Sequence, residues 1–566
     1  MKTSIFGLAL FAASTLLAGP KLAKELEKAD RNTKTNVIIV YKTAPTENQR
    51  KKVTDKGGNE KRNFKRIKGG AYSVFGRELA RLAADPNVVS IHPDRSVKGS
   101  AVTVVPDYGW LTMLNPPTPN SPQQYTGAGI GVAVIDSGVS AHGDLASRVV
   151  YQESFVPGGT ADGYGHGTHV AGIVAGSGSN SNGAGNSYKI RGIAPEANIV
   201  SLRVLDGTGT GSDSDVIAAI ETAIALKSTY NIRVINLSIG RQVFESYTTD
   251  PLCQAVEAAW HAGIVVVVAA GNEGRNNTGG TDGYGLISAP GNDPYVITVG
   301  AMNTVGSQVR TDDKMTSYSS KGPSTFDHIV KPDLVAPGNR ILSLRSNGAQ
   351  LDTATNQILN SSYGNALGTS ADYYELSGTS MAAPMVSGAA ALLLQQNPSY
   401  TPDQVKAKLM LTAYKSLPAT TIAVDTATGT SYTVENNIFT VGAGYLDVYA
   451  ALNNTETPPE FSSAMSPSAV YDEVAGTITM VNGTSLVWGN SLVWGNSLVW
   501  GNSLVWGNSL VWGNSLVWGN SLVWGNSLVW GNSLVWGNSL VWGNSLVWGN
   551  SGSGIDALTV TLQGDR

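Results

Sequence analysis

Residues 130–136 read Ile-Gly-Val-Ala-Val-Ile-Asp, an apolar run that ends in an acid and is followed by Ser137 and Gly138. An apolar run of this length, rich in β-branched residues and closed by turn residues, is typical of a strand that is buried on both faces. Because Asp136 lies at the carboxyl end of the strand, we expect it at the edge of the sheet where ligands bind in folds of this type. This stretch therefore predicts both the kind of sheet and the position of a functional carboxylate.

The same pattern continues along the chain, where apolar strands alternate with helices as far as about residue 301. Predicted strands span residues 130–136, 198–205, 234–239, 264–270 and 296–301, and predicted helices span residues 167–176, 212–229 and 251–262. Alternation of this kind predicts an α/β fold, in which a parallel sheet is flanked by helices on both faces. A further apolar stretch, residues 379–396, predicts a long helix with Ser380 in its first turn.

Three motifs far apart in the chain supply an acid, an imidazole and a hydroxyl in that order. They are Asp136 in Ile-Asp-Ser-Gly, the sequence His-Gly-Thr-His-Val-Ala-Gly at residues 166–172, and Ser380 in Gly-Thr-Ser-Met-Ala-Ala-Pro. A serine hydroxyl is a weak nucleophile at neutral pH, so it needs an imidazole to take its proton and a carboxylate to orient that imidazole. Spacing alone leaves His166 and His169 both open as the base, because both would lie in the first turn of one helix.

The three motifs resemble the signatures of the subtilisin-like serine proteases, the subtilases, over about residues 125–450. The resemblance implies that His166 is the general base and that His169 is a packed helix residue. It also implies that Asn272, which follows an apolar strand in the sequence Gly-Asn-Glu-Gly, donates to the oxyanion of the tetrahedral intermediate. The backbone N–H of Ser380 would be the second donor.

The resemblance also implies where a peptide substrate binds. Ser238 and Gly240, which follow the predicted strand at residues 234–239, would hold the substrate main chain and form one wall of the specificity pocket, with Ala289 on the opposite rim. The simpler interpretation of this segment is an ordinary exit from a strand into a loop. No charge marks either wall, so we expect an apolar or broad preference at the residue before the cut.

A structural calcium ion is a further implication of the resemblance. Asp144 and Asn186 match positions that hold Ca²⁺ in subtilases, where most other ligands are backbone carbonyls. Oxygen ligands on a flexible loop suit this ion. Asp and Asn are also ordinary loop residues, so the two alternatives remain open at the level of sequence.

The composition and the N-terminal residues indicate where the protein acts. The 566 residues are 42% hydrophobic and 14% charged, as expected of a globular secreted protein with several domains. Residues 1–19 begin Met-Lys and continue with a short apolar run, which predicts a secretory signal peptide rather than a membrane span. We therefore expect a secreted or extracellular protein, soluble or associated with the cell surface, without a transmembrane segment. The single cysteine, Cys253, excludes a disulfide within the chain.

Residues 20–104 are predicted to form a small α+β domain that precedes a peptidase domain at residues 105–452. The first hundred residues carry 20 basic and 9 acidic side chains, whereas the whole chain has a net charge of −4. Basic and apolar residues alternate regularly, which argues against a nucleic-acid-binding arm and favours a folded domain with an acidic partner. The segment resembles the inhibitory propeptide of subtilases, which implies that the enzyme's own propeptide is its inhibitor. Its predicted strands span residues 36–41, 70–75 and 87–91, and its predicted helices span residues 46–56 and 78–84.

The C-terminal part, residues 453–566, is predicted to be a β-rich tail. Within it, residues 485–550 repeat Ser-Leu-Val-Trp-Gly-Asn eleven times without change. Identical six-residue units favour a stacked β-solenoid, with a meander of hairpins as the alternative. Exposed strand edges predict self-association through this tail. A tract expanded by sequence slippage, with no role beyond length, is the simplest alternative.

The sequence thus predicts a secreted serine endopeptidase that acts on polypeptides and is made as a self-processed zymogen. The alternative is a surface or matrix protein whose repeat tail does the work and whose protease-like domain serves as a scaffold. A degenerate catalytic site would favour that alternative, but all four catalytic elements are present.

Overall fold

The computed structural model describes residues 21–99 and 125–481, apart from short gaps, and seven short strands within the repeat tract. The gaps are residues 184–185, 187–188, 278–280, 307–309, 355, 365, 426–428, 457, 459–462 and 473–476. The chain divides into two compact units, Met1–Asp94 and Arg95–Arg566. The predicted signal peptide and the predicted boundary between residues 104 and 105 lie outside the described residues. Within the described part of the chain, no helix has the length and apolar character needed to cross a membrane.

The first unit is an antiparallel sheet with two helices. Its strands are Lys34–Tyr41 (β1), Asn59–Asn63 (β2), Gly69–Phe75 (β3) and Val88–Pro93 (β4), in the order β2-β3-β1-β4, and its helices are Glu47–Thr54 (α1) and Gly76–Ala83 (α2). Val37, Ile39 and Ile91 form its core together with Leu79 of α2. The sequence prediction missed β2, because its residues Asn-Glu-Lys-Arg-Asn carry no apolar alternation.

The second unit contains the remaining elements. Its strands are Ser96–Gly99 (β5), Gly131–Asp136 (β6), Val149–Ser154 (β7), Asn198–Arg203 (β8), Thr210–Ser212 (β9), Ile232–Leu237 (β10), Ile239–Gly240 (β11), Val265–Ala269 (β12), Ile297–Asn303 (β13), Lys314–Met315 (β14), Leu334–Pro337 (β15), Ile341–Leu344 (β16), Gln357–Leu359 (β17), Thr369–Leu376 (β18), Thr420–Val424 (β19), Ser431–Glu435 (β20), Ser468–Asp472 (β21) and Thr477–Val481 (β22). Its helices are His166–Ala175 (α3), Asp213–Tyr230 (α4), Pro251–His261 (α5), Thr379–Gln396 (α6), Pro402–Thr412 (α7) and Val448–Asn453 (α8).

The central sheet has the strand order β14-β13-β12-β10-β6-β8-β7, with β15 paired to β13. All of these pairings are parallel except that between β13 and β14. Helices α3 and α6 pack against each other and against the sheet, and α4 and α5 form a second packed pair. The predicted α/β fold with a parallel sheet flanked by helices is therefore confirmed, with the correction that the sheet is mixed at one edge.

Burial explains why these segments form these elements. Every residue of β6 and of β12 is buried, as expected of Val- and Ile-rich strands covered by helices on both faces. Helix α6 spans the predicted residues 379–396, and its first sixteen residues are buried. Because β6, β10 and β12 are neighbours and parallel, their carboxyl ends meet at one edge of the sheet, next to the start of α6.

In the repeat tract, the described strands are Leu498–Val499 (β23), Leu504–Val505 (β24), Leu516–Val517 (β25), Leu522–Trp524 (β26), Leu528–Trp530 (β27), Leu534–Trp536 (β28) and Leu540–Trp542 (β29). They pair in parallel, with Leu opposite Leu and Val opposite Val, two or three repeats apart along the chain. A hairpin meander would instead pair neighbouring repeats antiparallel. The rest of the tract lies outside the described residues.

Candidate active site

Asp136 and His166 meet at the carboxyl edge of the sheet. Asp136 ends β6 and His166 begins α3, and the imidazole Nδ1 lies 2.8 Å from Oδ1 and 3.0 Å from Oδ2 of the carboxylate. Both side chains are fully buried. Gly167 permits this approach, because a Cβ there would lie 2.2 Å from the carbonyl oxygen of Gly138. The carboxylate therefore orients the ring through Nδ1, which leaves Nε2 as the nitrogen for proton transfer.

A second buried carboxylate, Asp162, holds this pair in position, and the sequence analysis missed it. Its Oδ1 accepts from Ser137 Oγ at 2.8 Å and from the Gly165 N–H at 2.6 Å. Its Oδ2 accepts from the N–H and the hydroxyl of Thr168 at 2.8 and 2.7 Å. Asp162 thus caps the start of α3 and ties it to the turn after Asp136. Burial raises the pKa of this carboxyl group, and the donors oppose that effect.

Ser380, in the first turn of α6, is bound to the end of β10 by two reciprocal hydrogen bonds. Its Oγ donates to the carbonyl of Ser238 at 2.9 Å, and Ser238 Oγ donates to the carbonyl of Ser380 at 2.8 Å. Asn236 Nδ2 donates to Ser238 Oγ at 2.9 Å, and the Oδ1 of Asn236 accepts from Ser387 Oγ, about two turns further along α6. The helix that carries the serine is therefore fixed to the sheet at several points.

Asn272, three residues after β12, is oriented by Thr379. Its Oδ1 accepts hydrogen bonds from the N–H and the hydroxyl of Thr379, both at 3.0 Å. A backbone N–H can pair only with the amide oxygen, so this contact fixes which way the amide points. The Nδ2 group then lies across Cγ from Oδ1, within the amide plane, and points away from the donors of Thr379. The same hydroxyl accepts from the Gly271 N–H at 3.1 Å, which ties the strand end to α6.

The predicted substrate walls also come together. Arg241, next to Gly240, exchanges backbone hydrogen bonds with Ala289, at 3.1 Å and 2.8 Å. A Cβ on Gly240 would lie 2.9 Å from that of Ser288, so a side chain at residue 240 would crowd the opposite wall. These contacts join the two segments that the sequence analysis assigned to opposite sides of a pocket.

An extended segment of the same chain lies along this edge. Strand β5 pairs antiparallel with β11, with Lys98 opposite Gly240, and antiparallel with β9 on its other side. It thereby forms the middle strand of a three-stranded sheet beside the end of β10. This is how an extended peptide adds to exposed strand edges.

Comparison with known sequences shows which protein family the chain is related to. Residues 127–444, more than half of the chain, match the family described as peptidase S8, the subtilase family. The chain belongs to the subtilase family. It is 41% identical over 295 residues to serine protease AprX of Bacillus subtilis (strain 168), and 35% identical over 365 residues to subtilisin E of the same strain. The first match covers 50% of this chain and 61% of AprX, and the second covers 64% of this chain and 79% of subtilisin E.

A solved structure supports the fold of this subtilase. Fervidolysin from Fervidobacterium pennivorans, described as a keratinolytic enzyme related to subtilisin, matches with a TM-score of 0.55 and 23% identity. The match covers 78% of this chain and 62% of fervidolysin. At this identity the likeness concerns the fold alone. The family match and the sequence relatives confirm the prediction of a subtilisin-like serine peptidase, a hydrolase, at the level of the family.

A buried ion network that begins at Arg241, directly after β11 of this subtilase, was also not predicted from the sequence. Arg241 Nε lies 2.9 and 3.0 Å from the two carboxylate oxygens of Asp213, and its Nη2 lies 2.8 and 2.7 Å from those of Asp250. All three side chains are almost fully buried. One guanidinium nitrogen thus faces both oxygens of each carboxylate, and charged contacts of this kind offset the loss of hydration and fix the geometry. No local pattern reveals them, because Arg241 is 28 residues from one partner and 9 from the other.

The two predicted calcium ligands, Asp144 and Asn186, both contact other residues of the protein. Asp144 Oδ1 accepts from Ser179 Oγ and the Asn180 N–H, both at 2.8 Å, and its Oδ2 accepts from the hydroxyl of Tyr373 at 2.7 Å. These three donors use part of the acceptor capacity of the two carboxylate oxygens, and calcium binding by Asp144 and Asn186 stays a prediction. Asn186 forms a backbone bridge with Gly364. Among the described residues, no cluster of three or more His, Cys, Asp or Glu side chains could hold a metal.

His169 behaves as the packed helix residue that the resemblance implied. It is fully buried, its Nε2 lies 2.9 Å from the carbonyl oxygen of Ile341, and its ring packs edge-on against Tyr374 at 5.3 Å. Burial lowers the pKa of His169 to about 3. A ring that stays neutral and faces a carbonyl is a poor candidate for the general base.

This pKa predicts an acid-dependent loss of stability. Below pH 6.5 the unfolded imidazole takes up a proton, whereas the folded one stays neutral to about pH 3. The contribution of His169 is therefore fully present above pH 6.5 and falls by about 1.4 kcal/mol per pH unit below it. In a Ser380→Ala background, which prevents self-digestion, His169→Gln should flatten the fall in thermal midpoint between about pH 6 and pH 4. Calorimetry that gives parallel pH profiles for the two proteins would contradict this assignment.

Proposed function

We propose that this subtilase is a secreted endopeptidase in which Ser380 is the nucleophile, His166 the general base and Asp136 the carboxylate that orients the base. The observation that carries the proposal is the buried 2.8 Å contact between His166 Nδ1 and Asp136. It lies at the same sheet edge as the hydrogen bonds between Ser380 and the end of β10. Membership of the subtilase family supports the reaction class.

Proton transfer is the first step of the proposed mechanism. The hydroxyl of Ser380 now donates to the carbonyl of Ser238, so its single proton must be redirected to Nε2 of His166 as Oγ attacks the substrate carbonyl. The imidazolium that forms is stabilised by Asp136 through Nδ1. It then protonates the leaving amine, and an acyl group remains on Ser380 until water, activated by the same base, hydrolyses the ester.

The oxyanion of each tetrahedral intermediate needs donors that are fixed before the reaction. The N–H of Ser380 lies in the first turn of α6, where backbone donors lack partners within the helix. The second proposed donor is Nδ2 of Asn272, because Thr379 holds the amide by its oxygen. This restraint means that the donor needs no reorientation when charge develops.

We also propose that the protein is a zymogen whose N-terminal segment blocks the substrate edge. Strand β5 occupies the backbone groups of β11 that a peptide substrate would need. Its antiparallel register runs from Lys98 opposite Gly240 to Gly99 opposite Ile239, which leads towards Ser238. This register supports a cut among the first residues after Gly99, slightly before the boundary at 104/105 expected from sequence. Residues 20–99 would then be the inhibitor, and residues 1–19 the secretion signal.

The zymogen proposal predicts that Ser380→Ala accumulates as an uncut precursor, because the first bond broken would be the enzyme's own. The protein should be purified away from other proteases, and its N-terminus should be determined by mass spectrometry. Ser177→Ala, which removes a loop hydroxyl, is the matched control and should be processed normally. A normally processed Ser380→Ala protein would sink both self-cleavage and the role of this serine.

The oxyanion proposal predicts that Asn272→Ala lowers kcat by about 10²–10³, the loss seen when one such donor is removed from a subtilisin. KM for a small peptide should change little, because the amide acts on charge that exists only in the transition state. Asn276→Ala removes a nearby amide that contacts Glu273 and provides the control. A kcat for Asn272→Ala within threefold of wild type would remove Asn272 from the site.

For the tail we propose a stacked solenoid that associates with a second copy through its open ends. The parallel, residue-matched pairing of the described strands supports stacking, with β26–β28 and β27–β29 two repeats apart and β23–β25 and β24–β26 three repeats apart. An open end presents unpaired backbone groups to another chain.

This proposal predicts that removal of residues 485–550 reduces self-association without loss of peptide turnover, because no proposed catalytic residue lies beyond Ser380. Sedimentation of the mature protein with and without the tract measures the first effect, and kcat/KM for a small peptide measures the second. Identical sedimentation of the two proteins at micromolar concentration would contradict the association.

A further inference from the structure

Arg95 lies directly before β5, and its side chain contacts Phe244 and Glu245. The zymogen proposal depends only on the backbone pairing of β5 and does not account for these side-chain contacts. The Nη1 of Arg95 lies 2.7 Å from Oε1 of Glu245, and its guanidinium lies 5.0 Å from the centre of the Phe244 ring. Arg95 is only 7% exposed. A cation that is held between a carboxylate and an aromatic face, and largely removed from water, occupies a site with specific chemistry.

The backbone at Arg95 continues the register of the strand. Its carbonyl accepts from the Asp213 N–H at 2.7 Å, and the next residue, Ser96, lies opposite Ser212. Arg95 is therefore fixed three residues before Lys98, the residue opposite Gly240. Any extended peptide that pairs with β9 and β11 in this register would bring its own side chain to the same place.

The loop that carries Phe244 and Glu245 is held in advance of binding. Its two ends are joined by Arg241 Nη2, which donates to both carboxylate oxygens of Asp250. Its middle is held by Asp327, whose carboxylate accepts from Ser246 Oγ at 2.6 Å and from the Tyr247 N–H at 2.9 Å. The second oxygen of Glu245 accepts from Thr249 Oγ1 at 3.2 Å. A preorganised site of this kind loses little entropy when a ligand binds.

We propose that Phe244 and Glu245 form a remote specificity subsite for an arginine in polypeptide substrates, three residues before the substrate residue that pairs with Gly240. The subsite rests on the proposed function, because it takes β5 as a copy of the bound substrate. Arginine should be preferred over lysine, since a planar guanidinium stacks on Phe244 while it bonds to Glu245. Substrate choice would then depend on charge far from the bond that is cut, although the walls at Gly240 and Ala289 carry none.

The test uses the mature enzyme with its C-terminal tail and three peptides that each carry a fluorophore and a quencher. The first has the sequence of residues 94–105, the second has citrulline in place of Arg95, and the third begins at Ser96. Citrulline keeps the planar shape and removes the charge. We expect kcat/KM to be about five- to tenfold lower for the second and third peptides than for the first, mainly through KM, as for a partly buried charged hydrogen bond. The difference should shrink as salt is raised.

The ratio of kcat/KM for the arginine peptide to kcat/KM for the citrulline peptide is then measured in two variants. Glu245→Gln should bring the ratio close to one. Glu153→Gln removes a carboxylate from β7, the edge strand of the sheet, and should keep the wild-type ratio. Equal kcat/KM for the two peptides in the wild-type enzyme would overturn the subsite while leaving the peptidase intact, and so would an unchanged ratio in Glu245→Gln. Failure to cut any of the three peptides would contradict the proposed function, and the subsite with it.

Discussion

The parallel pairing of β6, β10 and β12 is the constraint on which the site depends. It brings Asp136, Ser238 and Asn272 to one edge of the sheet from positions far apart in the chain. The start of α6 is then bound to two of these strand ends, through Ser380 to Ser238 and through Thr379 to Asn272. Since successive residues of a strand are about 3.3 Å apart, a slip of one residue in any pairing would break these contacts.

Buried polar groups fix the geometry of this edge. Asp162 ties the start of α3 to the turn after Asp136, and Arg241 ties the substrate edge to Asp213 and Asp250. Each has its hydrogen-bonding partners within the protein, which is the condition under which burial of charge is tolerated. Networks of this kind are directional, so they specify one geometry where apolar contacts would accept several.

The periodic spacing of apolar residues predicted most of the helices and strands. The elements and contacts that were not predicted depend on residues far apart in the chain. The Val-rich strand β12 and helix α6 follow from apolar patterns within a single stretch. Strand β2 has no such pattern and exists because β3 lies beside it. The role of Asp162 had a weak local signal, an acid four residues before the histidine that begins a helix. The contact of Asp144 with Tyr373 had no local signal, because the two residues lie 229 positions apart in the chain.

The position of β5 also bears on how an activity of this kind would be released. While the chain is continuous, the strand is presented to β9 and β11 at an effective concentration on the order of millimolar, whatever the dilution of the protein. A cut beyond Gly99 would turn this occupant into a separate molecule, whose binding then depends on how much of it is present. Inhibition would persist in the confined space where the protein is made and fade in a large external volume. The surroundings, rather than the chemistry of the cut, would then decide when the substrate edge becomes free.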